Sequence, residues 1–190
     1  PILSSEKLNN KFDANIFLKN EVEQLTGSFK IRGALSALSH LNHQGIEGVV
    51  AFSSGNHAQG VSKAAQIFDM KAIIVMPKDA PKNKIEKTKT NGAKVVLYER
   101  HKQSREKIAE QIAEENDYPL VRPFDNPQII AGQGSFGLEA CDFFISNDIE
   151  PDIVLSCTSG GGLVAGTSIA FKHYFPESQI YPVEPITCND

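Results

Sequence analysis

The sequence predicts an α/β fold, and three observations predict it. Short apolar runs rich in valine and isoleucine recur along the chain, and a segment with helical spacing follows almost every one. The runs are near-continuous rather than alternating, as expected of parallel strands covered on both faces. The chain has 190 residues, of which 41% are hydrophobic and 22% charged, enough for a substantial core.

Taken in order, "NIFLKNE" reads as a strand, and Ser28 to about His43 as a helix with Ser28 as its N-cap. "GVVAFS" is a strand and "NHAQGVSKAAQIFD" a helix. "KAIIVMP" is a strand, and "PKNKIEKTKTNG" is a solvated lysine-rich helix with Pro81 near its start and Gly92 past its end. "AKVVLYE" and "REKIAEQIAEEN" repeat the pair. "PLVRP" is a short strand before the long helix "NPQIIAGQGSFGLEACDFFISN". "PDIVLSC", the helix "LVAGTSIAFKHYF" and the strand "QIYPVEP" complete the pattern. No low-complexity linker divides the chain, so periodicity alone suggests one doubly wound sheet.

Several function classes drop out. A formal charge of −4 without a basic stripe argues against nucleic acid as partner. No apolar run reaches the length of a membrane span, and no signal-peptide pattern opens the chain. Cys141, Cys157 and Cys188 are widely spaced and odd in number, which fits a reducing cytoplasm rather than a disulfide framework or metal site. His40, His43, His57, His101 and His173 show no metal-ligand spacing. The chain starts at Pro1 and stops soon after an apolar strand, so further sequence is expected beyond these residues.

In open parallel sheets, ligands gather at the C-terminal ends of strands, where helix N-termini point outward. Three stretches stand at such junctions. "SGGGLVAG" from Ser159 offers converging main-chain N–H groups and a helix N-terminus, a natural cradle for phosphate. It lacks the Gly-Lys-Ser/Thr ending of a nucleotide loop. "SSGNHAQG" from Ser53 brings hydroxyls, a glycine and free N–H groups to a helix mouth, and suits a carboxylate. "TGSFKIRGA" puts Lys30 and Arg32 in a first helical turn, against the positive end of the dipole, at about 0.3–1 kcal/mol each if exposed. Local rules are broken at working sites. A partly buried ammonium there loses its proton readily and becomes a nucleophilic amine. Each stretch alone also fits an ordinary turn or a solvated charge. Phosphate cradle, carboxylate cradle and activated lysine together are the needs of pyridoxal phosphate and its amino-acid substrates.

With "TGSFKIRGA", "SSGNHAQG", "AGQGSFGLEA" and "SGGGLVAG" in this order, the chain resembles the fold-type II pyridoxal-phosphate enzymes, in the threonine/serine dehydratase and serine racemase group. The resemblance runs from about Pro1 to Glu184. It implies that Lys30 condenses with the cofactor aldehyde and takes the substrate α-proton, with Phe29 beside the pyridine ring. Asn56 would hydrogen-bond the 3-hydroxyl. The main chain of Ser159, Gly160, Gly161, Gly162 and Leu163 would hold the phosphate. Ser53, Ser54, Gly55, Asn56 and His57 would grip the substrate carboxylate, and Ser54 matches the base that racemases use on the opposite face. It also implies a small mobile domain over 48–125 and a larger cofactor-binding domain over 1–47 and 126–190, with the cofactor in the cleft between them. A homodimer is the expected assembly. A divalent or monovalent cation is possible but not assignable, and no metal ligand is named.

Two departures from the family pattern matter. Ser159 stands where many relatives have a fourth glycine, which marks a subgroup such as the hydroxyaspartate dehydratases. The family's C-terminal portion, with its hydroxyl facing the pyridine nitrogen and the racemases' divalent-cation site, has no counterpart in these residues. The large domain is therefore expected to be incomplete, and a free chain of this length unstable or inactive. The leading expectation is a dehydratase (ammonia-lyase) acting on threonine, serine or a related β-hydroxy amino acid. Phe124, where animal racemases usually carry asparagine, tilts the reading from racemase to dehydratase. The alternatives are serine racemase (an isomerase), a hydroxyaspartate dehydratase, a cofactor-binding fragment without activity, and a nucleotide-binding module that lacks its motif. Glu21 and Glu184 are read as structural.

Overall fold

A computed structural model describes residues 1–188. It opens with β1 (Ile2–Ser4), α1 (Glu6–Phe12) and β2 (Phe17–Lys19), then α2 (Lys30–His43). There follow β3 (Gly48–Phe52), α3 (Asn56–Ile67), β4 (Lys71–Pro77), α4 (Lys82–Thr90), β5 (Lys94–Tyr98) and α5 (Arg105–Asn116). The chain continues with α6 (Pro127–Ser146), β6 (Ile153–Cys157), α7 (Gly162–Tyr174), β7 (Gln179–Val183) and a 3-10 turn at Ile186–Cys188. No helix among the described residues is long and apolar enough to cross a membrane.

The α/β class holds, but one doubly wound sheet does not form. The strands make a parallel sheet β3-β4-β5, a parallel pair β6-β7 and an antiparallel pair β1-β2. Residues 1–12, which show no clear period, supply β1 and α1. "PLVRP" gives a single parallel bridge, Leu120 to Val50, because the proline on each side has no N–H for a ladder.

Alternation along β3 and β4 sends Val49, Ala51, Ala72, Ile74 and Met76 to one face, and Val50, Phe52, Ile73 and Val75 to the other. The first set packs with α2 and α3 and includes Ile129 of α6. The second packs with Ala109 and its neighbours on α5. A third cluster, of Phe17, Phe143, Phe144, Phe171 and Phe175 in edge and tilted ring contacts, joins β2, α6 and α7. On β6 and β7, Val154 and Ile180 pack inward, while Ile153, Leu155, Tyr181 and Val183 face outward.

Glycines on α6 set how the helices meet. A Cβ at Gly132 would lie 2.6 Å from the Arg32 carbonyl oxygen and from Gly33 Cα, so α2 and α6 touch backbone to backbone. On another face, a Cβ at Gly137 would meet Thr167 Cα of α7 at 3.1 Å, and Gly166 lies against the Ile130 carbonyl. Asn126 starts this helix, its Oδ1 accepting from the N–H groups of Gln128 and Ile129, with Pro127 at the first position.

An ion network clamps the same helices. Arg32 donates to both oxygens of Glu21 at 2.6 and 2.8 Å and to both oxygens of Glu139 at 2.8 Å. Lys19 reaches Glu139 at 2.6 Å. Burial works to raise the Glu21 carboxyl, but Arg32 outweighs it and the net direction is down. The Arg32 hydrogen bonds, against burial and with help from Lys19, hold Glu139 at about 2.

Two outcomes follow from this packing. Gly132→Ala, which in a free helix would gain about 1 kcal/mol, is expected to destabilise the protein by about 1–3 kcal/mol through overpacking, read from the denaturant midpoint. The Glu139 stabilisation is whole above the ordinary carboxyl value of 4.5 and vanishes as pH falls through about 2. Across that window the wild-type thermal midpoint should fall more steeply than that of Glu139→Gln; parallel curves would show that the pair contributes nothing.

Candidate functional site

Lys30 is the first residue of α2, and Arg32 lies in the same turn. Ser28 is not the cap: Phe29 precedes the helix in αR conformation without a side-chain cap, and Ser28 is buried with its Oγ unpartnered. The two cations resolve their dipole conflict differently. Arg32 turns to its carboxylates, whereas the half-buried Lys30 donates to the Pro123 carbonyl at 2.9 Å. Its Nζ lies 5.2 Å from the centre of the Phe29 ring. Burial pushes the Lys30 ammonium below its ordinary range, opposed in part by Cys157 at the end of β6.

The second stretch leaves β3 and opens α3. Ser53 Oγ accepts from the Gly55 N–H at 3.1 Å, which tightens the turn. The first backbone bond of the helix joins the Gln59 N–H to the Gly55 carbonyl, so the N–H groups of Asn56, His57 and Ala58 have no acceptor among the described residues. Ser54 is half-buried and makes no hydrogen bond there. His57 is 2% exposed, and its Nε2 lies 3.0 Å from the Val121 carbonyl. A carbonyl can only accept, so Nε2 carries the proton and Nδ1 is a bare, buried acceptor. Gly60 packs this helix onto the Lys30 main chain, to which its Cβ would come within 3.1 Å.

The third stretch joins β6 to α7. Gly161 has φ of +79°, a left-handed position natural to glycine, and the first capping bond runs from the Ala165 N–H to its carbonyl. Among the described residues the N–H groups from Ser159 to Val164 have no protein acceptor. Phe124 lies against Gly160 and Gly162, where no side chain could sit beside its ring and main chain.

One segment ties the three together. Val121 accepts from His57, Pro123 from Lys30, and Phe124 covers the glycines of the third loop. These residues fit pyridoxal phosphate: an amine of lowered basicity, a run of free N–H groups at a left-handed glycine, a second such run suited to a carboxylate, and orphaned polar atoms at Ser28 and His57. No group of three His, Cys, Asp or Glu among the described residues could hold a metal ion.

Lys84 escapes a reading of the lysine-rich helix as merely solvated. It donates to Asn56 Oδ1 at 3.1 Å and lies over Gly55. The signal was present: Lys82 and Lys84 occupy the first turn of α4, the same dipole conflict that marks Lys30. Glu21, read as structural, is the partner of Arg32.

The chain belongs to the pyridoxal-phosphate dependent enzyme family, whose pattern matches residues 1–190. It is 42% identical to a serine racemase of Schizosaccharomyces pombe, over the whole of this chain and 58% of that protein. It is equally 42% identical to an L-threo-3-hydroxyaspartate ammonia-lyase of Pseudomonas sp, over all of this chain and 59% of the relative. An L-threonine ammonia-lyase of Thermotoga maritima is 43% identical over 95% of this chain and 44% of its own. Among solved structures, a threonine deaminase from T.th. superposes with a TM-score of 0.88 at 43% identity, covering 97% of this chain and 59% of that one. Maize serine racemase gives 0.91 at 35% identity, covering 98% and 56%. The chain thus spans less than three fifths of the length of these relatives.

His57 yields a direct check. Burial holds its imidazolium down to about 4 from the ordinary 6.5, helped by the Lys30 charge and resisted by the Val121 bond. The unfolded chain therefore takes up a proton that the folded one refuses. The stability from this site is whole above 6.5 and is lost as pH falls through about 4. Nitrogen-15 NMR should show a neutral ring with the proton on Nε2 at pH 6.5, with charge appearing only as pH nears 4; a ring already half charged at 6.5 would contradict the buried geometry.

Proposed function

We propose that this protein is a pyridoxal-phosphate dependent dehydratase that eliminates water from threonine, serine or a related β-hydroxy amino acid; water then hydrolyses the released enamine to a 2-oxo acid and ammonia, so the net loss is ammonia. The observation that carries this reading is the arrangement around residues 121–124, where a proton-poor amine, a carboxylate cradle and a phosphate cradle share one segment.

Bound pyridoxal phosphate supplies an electron sink for the charge left when the α-proton departs. This chain's own residues do the rest. Lys30 Nζ would hold the cofactor aldehyde and, once the substrate amine has taken its place there, would be the free amine that accepts the α-proton. The N–H groups of the Ser53–His57 stretch hold the substrate carboxylate, with Ser53, Ser54 and Gly55 shaping the turn. Asn56 binds the ring oxygen, and Phe29 flanks the ring. Ser159, Gly160, Gly161, Gly162 and Leu163 bind the phosphate. Residues 48–125 act as the mobile domain and close over the rest of the chain, excluding water from the reacting centre. The cytoplasm is the setting, supported by free thiols at buried Cys141 and exposed Cys157; the side chain of Cys188 lies outside those described. A homodimer is the proposed assembly, for which Val22 and Leu25, 72% and 70% exposed, offer apolar surface. No ligand set is proposed for a cation.

A second reading, racemisation of serine, has one observation in its favour: Ser54 is half-buried with an unengaged hydroxyl. Phe124 over the phosphate loop favours elimination, since racemases of animals usually carry asparagine there. Borohydride treatment of protein loaded with pyridoxal phosphate should lock the cofactor onto the Lys30 peptide by mass spectrometry, and Lys30→Ala should abolish both adduct and turnover. Release of 2-oxo acid from serine or threonine should outpace inversion by chiral analysis. Faster inversion would make the protein a racemase, and an adduct without turnover would make it a cofactor-binding protein.

A further inference from the structure

A cation at the mouth of the second loop has no role in the reading above, and its geometry assigns it one. Lys84 sits in the first turn of α4, where the helix dipole opposes it and no acidic side chain compensates. Its Nζ donates to Asn56 Oδ1 at 3.1 Å. A Cβ at Gly55 would stand 3.0 Å from that Nζ and 3.2 Å from Lys84 Cδ, so the bare glycine is what lets the lysine lie across the turn.

An ammonium has donors and no acceptor. The Asn56 atom that meets it is therefore the carbonyl oxygen, and the amide NH2 is left for whatever binds at the mouth of α3. A ring oxygen that carries negative charge needs a donor. With the amide reversed, the NH2 would oppose the ammonium and the carbonyl would oppose the ring oxygen, two repulsions at once. We propose that Lys84 is a positioning residue for the cofactor site: by taking Asn56 Oδ1 it leaves only the amide donors for the ring oxygen of pyridoxal phosphate. The inference rests on the proposed function, and it adds a residue outside the motifs to that site.

The test titrates pyridoxal phosphate into the apo-protein and follows affinity and absorption band, for wild type, Lys84→Met, Asn56→Ala and the double variant. Lys84 is half-buried and Asn56 exposed, so thermal midpoints of the apo-proteins, measured alongside, verify that each variant is folded. Lys84→Met is expected to weaken the dissociation constant about tenfold, the worth of one positioned hydrogen bond. It should also move the band of the bound cofactor toward that of Asn56→Ala. The double variant should bind no more weakly than Asn56→Ala alone, because Lys84 acts through Asn56. Wild-type affinity and band in Lys84→Met overturn the proposal, as do losses that simply add. Wild-type protein that binds no cofactor, or forms no borohydride-stable bond at Lys30, overturns the functional reading and this inference with it.

Discussion

The arrangement depends on close approach between helix backbones at the glycines of α6. Gly132 admits α2, whose first residue is Lys30, and the Gly134–Gly137 face admits α7, whose first turn is the proposed phosphate cradle. Glycine inside a helix costs about 1 kcal/mol relative to alanine, and α6 accepts that cost at Gly132, Gly134 and Gly137. In return, the amine and the cradle are located by main-chain contact rather than by flexible side chains. The stretch "AGQGSFG" thus serves the site without touching its chemistry.

Electrostatics then separates two neighbouring cations. Arg32 finds Glu21 and Glu139, so its charge is fully matched and α2 is fastened to β2 and α6. Lys30, two residues away, has a main-chain carbonyl rather than a carboxylate as its hydrogen-bond partner among the described residues. Burial without a carboxylate lowers its basicity, which is the condition a nucleophilic amine requires. One helical turn contains both a charge matched by carboxylates and an amine of lowered basicity.

The segment from Val121 to Phe124 serves as a common reference. Its carbonyls orient His57 and Lys30, and its aromatic ring sits on the glycine loop. Because it runs from the bridge at Val50 into the cap of α6, it also joins the three-stranded sheet to the helices that carry the cradle.

Much of this was legible in the residues. The apolar runs of β3 to β7 and the caps of α6 are local signals, carried by side-chain period and by Asn126 and Pro127. Two of the loops stood out because small residues at fixed spacing free their main-chain N–H groups, and the Lys30 stretch because its cations oppose the helix dipole. The division into three sheets was not legible, since strand period says nothing about which edges pair. Ser28 also misled, for a buried serine before a helix reads the same as a capping one. The sequence by itself determined element types and which loops would expose free main-chain N–H groups, because both arise from interactions a few residues apart. Only the tertiary structure decided that Arg32 is paired and Lys30 is not, that residues 121–124 join the loops, and that Lys84 faces Asn56. Those outcomes depend on contacts across tens of residues, which no local pattern encodes.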